Sequence, residues 1–476
     1  MNVTQNRTAE PAVGGVRRCW RLWKQAVRGE TEDFTVGPIG TAVFLLSVPM
    51  VLEMALESVF AVTDIFFVAK LGADAVTAVG LTEAAITLLY AVAIGLSMGT
   101  TAMVARRVGE KRHEEASVVA GQALWMGLIT SVLVAVLGIS FADDILRLMG
   151  ASEQVVATGS GYTVWLMGGS LTITWLFIIN AVFRGAGDAG IAMRSLWLAN
   201  GINIVLDPLL IFGVGPFPEL GVAGAAVATT IGRGCGVVYQ LWMLTGVRRK
   251  VRLGWHHLKL QMPVMRRLLT VSAGGVGQFI IGTTSWIFLA RLIADHGSAA
   301  VAGYTIGLRI IIFTIMPAWG LSNAAATLVG QNLGAGQPLR AQQSAWLCVR
   351  YNVTFMLVVA TAFLLFAPQL VGIFTQDPAV LGYGVQCLRI LSMGYCFYGL
   401  GMVLTQALNG AGDTRTPTVL NFFAFWLLQI PLAWWLANAL ALGPQGVFMA
   451  VPISEAFLSV GAVWAFRRGR WKLQEV

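Results

Sequence analysis

The 476 residues are 57% hydrophobic and only 12% charged, with a mean hydropathy of +0.73, about half the charged content of a soluble globular chain. This excludes a water-soluble globule and leaves a membrane protein. The 54 glycines and 15 prolines lie within apolar segments, as membrane helices tolerate, which excludes collagenous and low-complexity readings. The net charge of +9 sits in loops between apolar runs and not on one soluble face, so nucleic acid is not expected as a partner. Cys19, Cys235, Cys348, Cys387 and Cys396 show no paired spacing and predict neither disulfide nor metal site. The histidines form no HExxH pattern, and no cofactor or enzyme motif is evident.

Residues 1–38 mix basic and acidic groups without the apolar core of a signal peptide. They read as a cytoplasmic tail with a short amphipathic stretch around Trp20 and Trp23 on the membrane surface. Twelve apolar runs then follow, at approximately 40–69, 76–105, 117–141, 154–181, 189–214, 220–246, 264–294, 299–329, 341–367, 380–409, 416–440 and 443–466. Each reaches the roughly 20 residues a spanning helix needs, and none alternates as a barrel strand would. The expected fold is an all-α polytopic membrane protein. With the N-terminus inside, inner tails and loops, Arg184 included, hold 24 of the 32 Lys and Arg residues. Outer loops hold only Lys70, Arg147 and Arg291, and five more lie within spans. This bias places both termini in the cytoplasm, in a multi-pass protein of the plasma membrane, read as a monomer.

Sliding the sequence along itself exposes a duplication. Gly185-Ala186-Gly187-Asp188 returns as Gly410-Ala411-Gly412-Asp413, Gly95-Leu96-Ser97 as Gly320-Leu321-Ser322, and Gly72 and Gly109 as Gly297 and Gly334, all 225 residues on. Near the end the offset is 222, pairing Gly224 with Gly446. An even number of spans per half gives both halves one orientation, so they form two six-helix lobes related by a pseudo-twofold axis along the membrane normal. The expected units are the tail 1–38, an N-lobe 39–246, a basic linker 247–263, a C-lobe 264–466 and a cytoplasmic tail 467–476. Such a cleft between lobes suits alternating-access transport.

An acid within a membrane span is a functional hypothesis by default. Asp64 and Asp207 are the leading candidates, because the repeat puts Leu289 and Leu432 at their counterparts; scaffold alone does not require an acid at either position. Each lies seven residues before the outer end of its span, about 10 Å deep. Asn203 is one turn before Asp207 on the same face and offers an amide to a proton or cation. Burial disfavours a charged carboxylate and a second nearby acid disfavours it further, so the pair suits proton binding. Glu53, Glu57 and Asp64 line one face of the first span as a proton path, a cation-attracting wall or a wet cleft face, with Gln278 the counterpart of Glu53. Pro49 predicts a bend in that helix. Glu455 aligns with Arg233 across the repeat, where an ion pair is one reading.

The chain resembles the multidrug and toxic compound extrusion family, in its DinF-like branch, over about 39–466. The resemblance rests on the twelve duplicated spans, Pro49 to Asp64 running into Lys70-Leu71-Gly72-Ala73-Asp74-Ala75, Phe183-Arg184-Gly185-Ala186-Gly187-Asp188, Asn203 to Asp207-Pro208, and Gly224-Ala225-Ala226-Val227-Ala228-Thr229. It implies export of cationic or amphipathic organic compounds against protons, with sodium as the alternative ion. It also implies a cation site at Asp64, Asn203 and Asp207, with Tyr162 and Thr229 as further polar members. Tyr162 alone reads equally as an interfacial anchor. The rival function within the wider superfamily is a lipid-linked oligosaccharide flippase.

Overall fold

The structure, a computed structural model, describes residues 15–29, 33–246 and 250–474; the side chains of 15–19, 28, 61, 62, 64 and 65 are outside the described set. An amphipathic helix, α1 (Gly15–Arg28), carries Trp20 stacked on Trp23 with both rings exposed. The N-lobe follows as α2 (Ile39–Val68), α3 (Ala73–Gly109), α4 (His113–Ser140), a short α5 (Ala142–Leu148), α6 (Glu153–Gly168), α7 (Ser170–Ala186), α8 (Ala189–Phe212) and α9 (Val222–Leu244). The C-lobe comprises α10 (Met262–Ala294), α11 (Ser298–Gly334), α12 (Pro338–Gly372), α13 (Pro378–Met393), α14 (Tyr395–Gly410), α15 (Arg415–Asn421), α16 (Ile430–Trp434) and α17 (Pro444–Arg468). Ten single spans and two bent pairs, α6/α7 and α13/α14, bring the spans to twelve.

Those two bends correct the expectation of continuous fourth and tenth spans. The helices turn by 42° and 54° at Gly169 and Gly394, which are 225 residues apart. A Cβ on Gly169 would lie 2.6 Å from Thr230, and one on Gly394 would lie 2.7 Å from Pro452. The last helix of each half presses its neighbour at the same place. The eleventh span also departs from regular α-helix, with π-helical stretches at Phe422–Gln429 and Trp435–Ala439. Pro431, which has no N–H to donate, lies between them.

The repeated glycines are places of close helix approach, as small residues permit in membranes. On the side where the first and last described residues lie, Gly109 would meet the Gln331 carbonyl at 2.0 Å and Gly334 the Arg106 carbonyl at 2.2 Å. This reciprocal contact between α3 and α11 marks the pseudo-twofold axis. Deeper in, Gly95 lies against Val276 of α10, and Gly320 against Met50 and Val51 of α2, next to Pro49. The α2 helix runs through Pro49 as one element. Gly187 and Gly412 end α7 and α14 with φ of 89° and 90°, a left-handed cap that favours glycine. Described segments before α2 and after α17 are also held by the opposite lobe. Arg340 donates to the carbonyls of Phe34, Val36 and Gly37, and Arg106 donates to that of Gln474.

Candidate functional site

Beyond the closed terminal side the lobes enclose a central cavity of about 310 Å³, reached by Glu53 and Glu57 of α2, Asn180 and Arg184 of α7, and Arg233 of α9. Glu53 is 1% exposed, and its Oε1 accepts from Asn180 Nδ2 and Arg184 Nη1, both at 3.2 Å. Asn180 is oriented in turn by Ser195 and Gln240. Glu57 Oε2 accepts from Asn200 Nδ2 at 3.2 Å. Arg233 donates to the Tyr90 hydroxyl at 3.3 Å, with its guanidinium 5.9 Å from the Phe60 ring centroid. Arg184 is therefore not a loop residue. It belongs to the last turn of α7 and is buried, where its charge answers Glu53 instead of setting orientation.

The C-lobe builds the same junction without charge. Gln278 and Asn409 exchange amide hydrogen bonds of 3.0 Å, and these are the residues 225 positions after Glu53 and Arg184. Asn409 also donates to Gln406, which donates to Asn323. The charged and neutral pairs are alternative solutions at one position of the fold. Sequence reasoning reached Glu53 and Gln278 but missed Arg184 and Asn409. The available signal was that both positions lose their charge together between the halves.

In the N-lobe, α8 and α9 come together at Gly232, whose Cβ would lie 2.5 Å from the Ala199 carbonyl. Asn203 Nδ2 consequently reaches both Thr229 Oγ1 at 3.0 Å and Asp207 Oδ1 at 3.4 Å. Asp207 is 0% and Asn203 2% exposed, and Asn203 Oδ1 has no hydrogen-bond partner among the described residues. Tyr162 is buried within the same lobe beside Val68, Leu166, Ile211 and Val222, which removes the interfacial-anchor reading. None of these four lines the central cavity. The connection is α9, where Arg233 follows Thr229 by one turn and does reach it. Asp64 lies on α2, with its side chain outside the described set. Glu455 has no ion-pair partner among the described residues and faces a different cavity from Arg233.

At the lobe linker, Glu114, His256 and His257 come within 4.8 Å of one another, a grouping no sequence spacing announced. His257 Nδ1 accepts from the Gly254 N–H at 2.9 Å, so Nε2 carries the proton it gives to Glu114 at 2.7 Å. A protonated ring nitrogen is not a metal ligand. The contact helps hold the linker on α4, together with Gln122 and Trp125 donating to the carbonyls of His257, Lys259 and Leu258. The hydrogen bond from His257 holds the exposed Glu114 carboxyl below its ordinary range. Its contribution is thus full above the ordinary carboxylate value and is lost as pH falls through the depressed one. Amide exchange of residues 255–261 should stay slower in wild type than in E114Q until pH drops below that ordinary range. Convergence of the two proteins at a higher pH would contradict this.

Two six-helix lobes facing each other across a mostly apolar central cavity with a few charged side chains define a multi-pass membrane transporter rather than an enzyme. The chain belongs to the MatE family, whose profile matches residues 49–209 and 274–435, once in each lobe. Among its relatives are a FAD transporter of Shewanella oneidensis, 26% identical over 90% of this chain and 95% of that protein, and the probable multidrug resistance protein NorM of Thermotoga maritima, 26% identical over 90% and 93%. A MATE family transporter of the MOP superfamily, solved in an outward-facing conformation, superposes with a TM-score of 0.87 at 26% identity, covering 94% of this chain and 99% of that one.

Proposed function

We propose that this protein is a secondary active exporter of the DinF-like branch, exchanging cationic or amphipathic organic compounds for protons by alternating access. The observation that carries this reading is Asp207. It is a fully buried acid on a membrane span, held by Asn203 beside Thr229, where the other lobe has Leu432. Asp64, on the neighbouring α2, is its partner in binding the proton, with Tyr162 completing the lobe's polar set. The unpartnered Asn203 carbonyl suits either a protonated carboxyl or sodium, the alternative ion. Pro49 is the point at which α2 bends on protonation, beside its contact with Gly320 of the other lobe, coupling ion binding to lobe movement. The protein works as a monomer in the plasma membrane with both termini cytoplasmic, so the closed terminal side makes the present state outward-facing. The units are the tail 1–38, N-lobe 39–246, linker 247–263, C-lobe 264–466 and tail 467–476.

Ethidium efflux from vesicles holding the purified protein, under separately imposed proton and sodium gradients, tests this. Proton-driven efflux is expected in wild type and should fall to the level of protein-free vesicles in D207N and D64N. Sodium-driven efflux would replace the ion, and full activity in both variants would overturn the site. An anionic aromatic cofactor is the second reading, favoured by Arg184 and Arg233 in the central cavity and by the FAD transporter among the relatives. FAD transport in the same vesicles, without ethidium efflux, would install it. Flipping of a lipid-linked oligosaccharide would draw on the same two arginines and ranks behind both, because the relatives named above are a FAD transporter and a multidrug resistance protein.

A further inference from the structure

A second cavity, of about 260 Å³, lies in the C-lobe. It adjoins the central one, since Phe279, Trp319, Gln406 and Asn409 line both. Glu455 of α17 is its only charged residue among those described. The residue is 6% exposed, yet its carboxylate has neither a hydrogen bond nor an ion pair with any described residue. Trp286, Tyr398 and Phe425 add aromatic surface to the wall.

We propose that this cavity is the seat of the organic cation itself, with Glu455 supplying the counter-charge and the aromatic rings supplying the walls. Three features of the site point to that class of ligand. A buried carboxylate with no protein partner is costly unless a proton or a cation neutralises it. Aromatic faces attract organic cations in addition to burying apolar surface, a feature a proton site does not need. The amides of Gln278, Asn409 and Gln406 are engaged with one another, so they do not compete for the ligand's charge.

The contrast with the central cavity decides which of the two takes the cation. The central cavity is lined by two acids and two arginines, a balanced set, whereas the C-lobe cavity carries one negative charge and no positive one among the described residues. Arg233 and Glu455 occupy the same position in their halves, 222 residues apart, and reverse the sign between lobes. The inference rests on the exporter reading and divides its labour: coupling ion in the N-lobe, organic cation in the C-lobe.

The test is equilibrium ethidium binding to the purified full chain in detergent, with no gradient. Tetraphenylphosphonium and tetraphenylborate, alike in shape and opposite in charge, serve as competitors. Wild type should prefer the phosphonium. E455Q should weaken ethidium binding at least ~tenfold and erase that preference, since only the charge term is removed. W286L should weaken ethidium while keeping the preference. Unchanged ethidium affinity in E455Q, or an equal loss in D207N, would overturn the proposal. Should E455Q fail to fold by thermal melting, E455D becomes decisive: retained preference for the phosphonium supports the site, and equal affinity for both ions overturns it. The binding result is separable from the exporter reading, because transport that persists with Glu455-independent binding sinks only this inference. Glu455-dependent binding without gradient-driven efflux sinks only the exporter.

Discussion

Replacing Glu53 by Gln, or Arg184 by Asn, is expected to cost about 3–5 kcal/mol, while E53Q/R184N together should recover most of that loss. Each single change strands one member of a pair whose side chains are 1% and 10% exposed, and a buried charge without its partner is far more expensive than no charge at all. The double change rebuilds the arrangement the C-lobe already uses, Gln278 opposite Asn409 with reciprocal bonds of 3.0 Å. Thermal unfolding of the four proteins in one detergent closes the double-mutant cycle. If the double variant is as unstable as the two singles added together, the pair is not acting as a unit and the equivalence of the two junctions fails.

The reciprocal glycines on the pseudo-twofold axis carry the second large effect. A methyl group at position 109 would lie 2.0 Å from the Gln331 carbonyl oxygen, so G109A must push α3 and α11 apart. Overpacking of this kind costs about 1–3 kcal/mol, and the cost falls only on the state in which the terminal side is closed. G109A should therefore shift the lobes toward opening on that side. Spin labels at Lys111 and Leu339, next to the terminal-side ends of α3 and α11, should report a longer or broader distance distribution. Gly282 supplies the control: nothing lies within 4 Å of its would-be Cβ, so G282A should leave stability and distance unchanged. Equal behaviour of the two variants would refute the assignment of Gly109 to the closing contact.

The particular residues show why some of this was readable and some was not. Each span announces itself through a local run of apolar side chains, and the duplication through a constant offset, so neither requires knowledge of contacts. The offset also isolated Asp64 and Asp207 by showing leucine at their counterparts. An offset establishes equivalence, however, and not proximity. Residues related by a twofold axis meet only where they lie on it, as around Gly109 and Gly334. Glu455 and Arg233 lie off it, so they face separate cavities and do not pair.

By itself, then, the sequence determined the membrane class, the twelve spans in two lobes, and the acids worth suspecting, because hydropathy and repetition are properties of the chain. Only the tertiary structure decided that Arg184 answers Glu53, that the fourth and tenth spans bend where Thr230 and Pro452 pack against them, and that Asn203 reaches Thr229 across α8 and α9. Each depends on residues far apart in the chain meeting, and so on how the helices cross rather than on what any one helix contains.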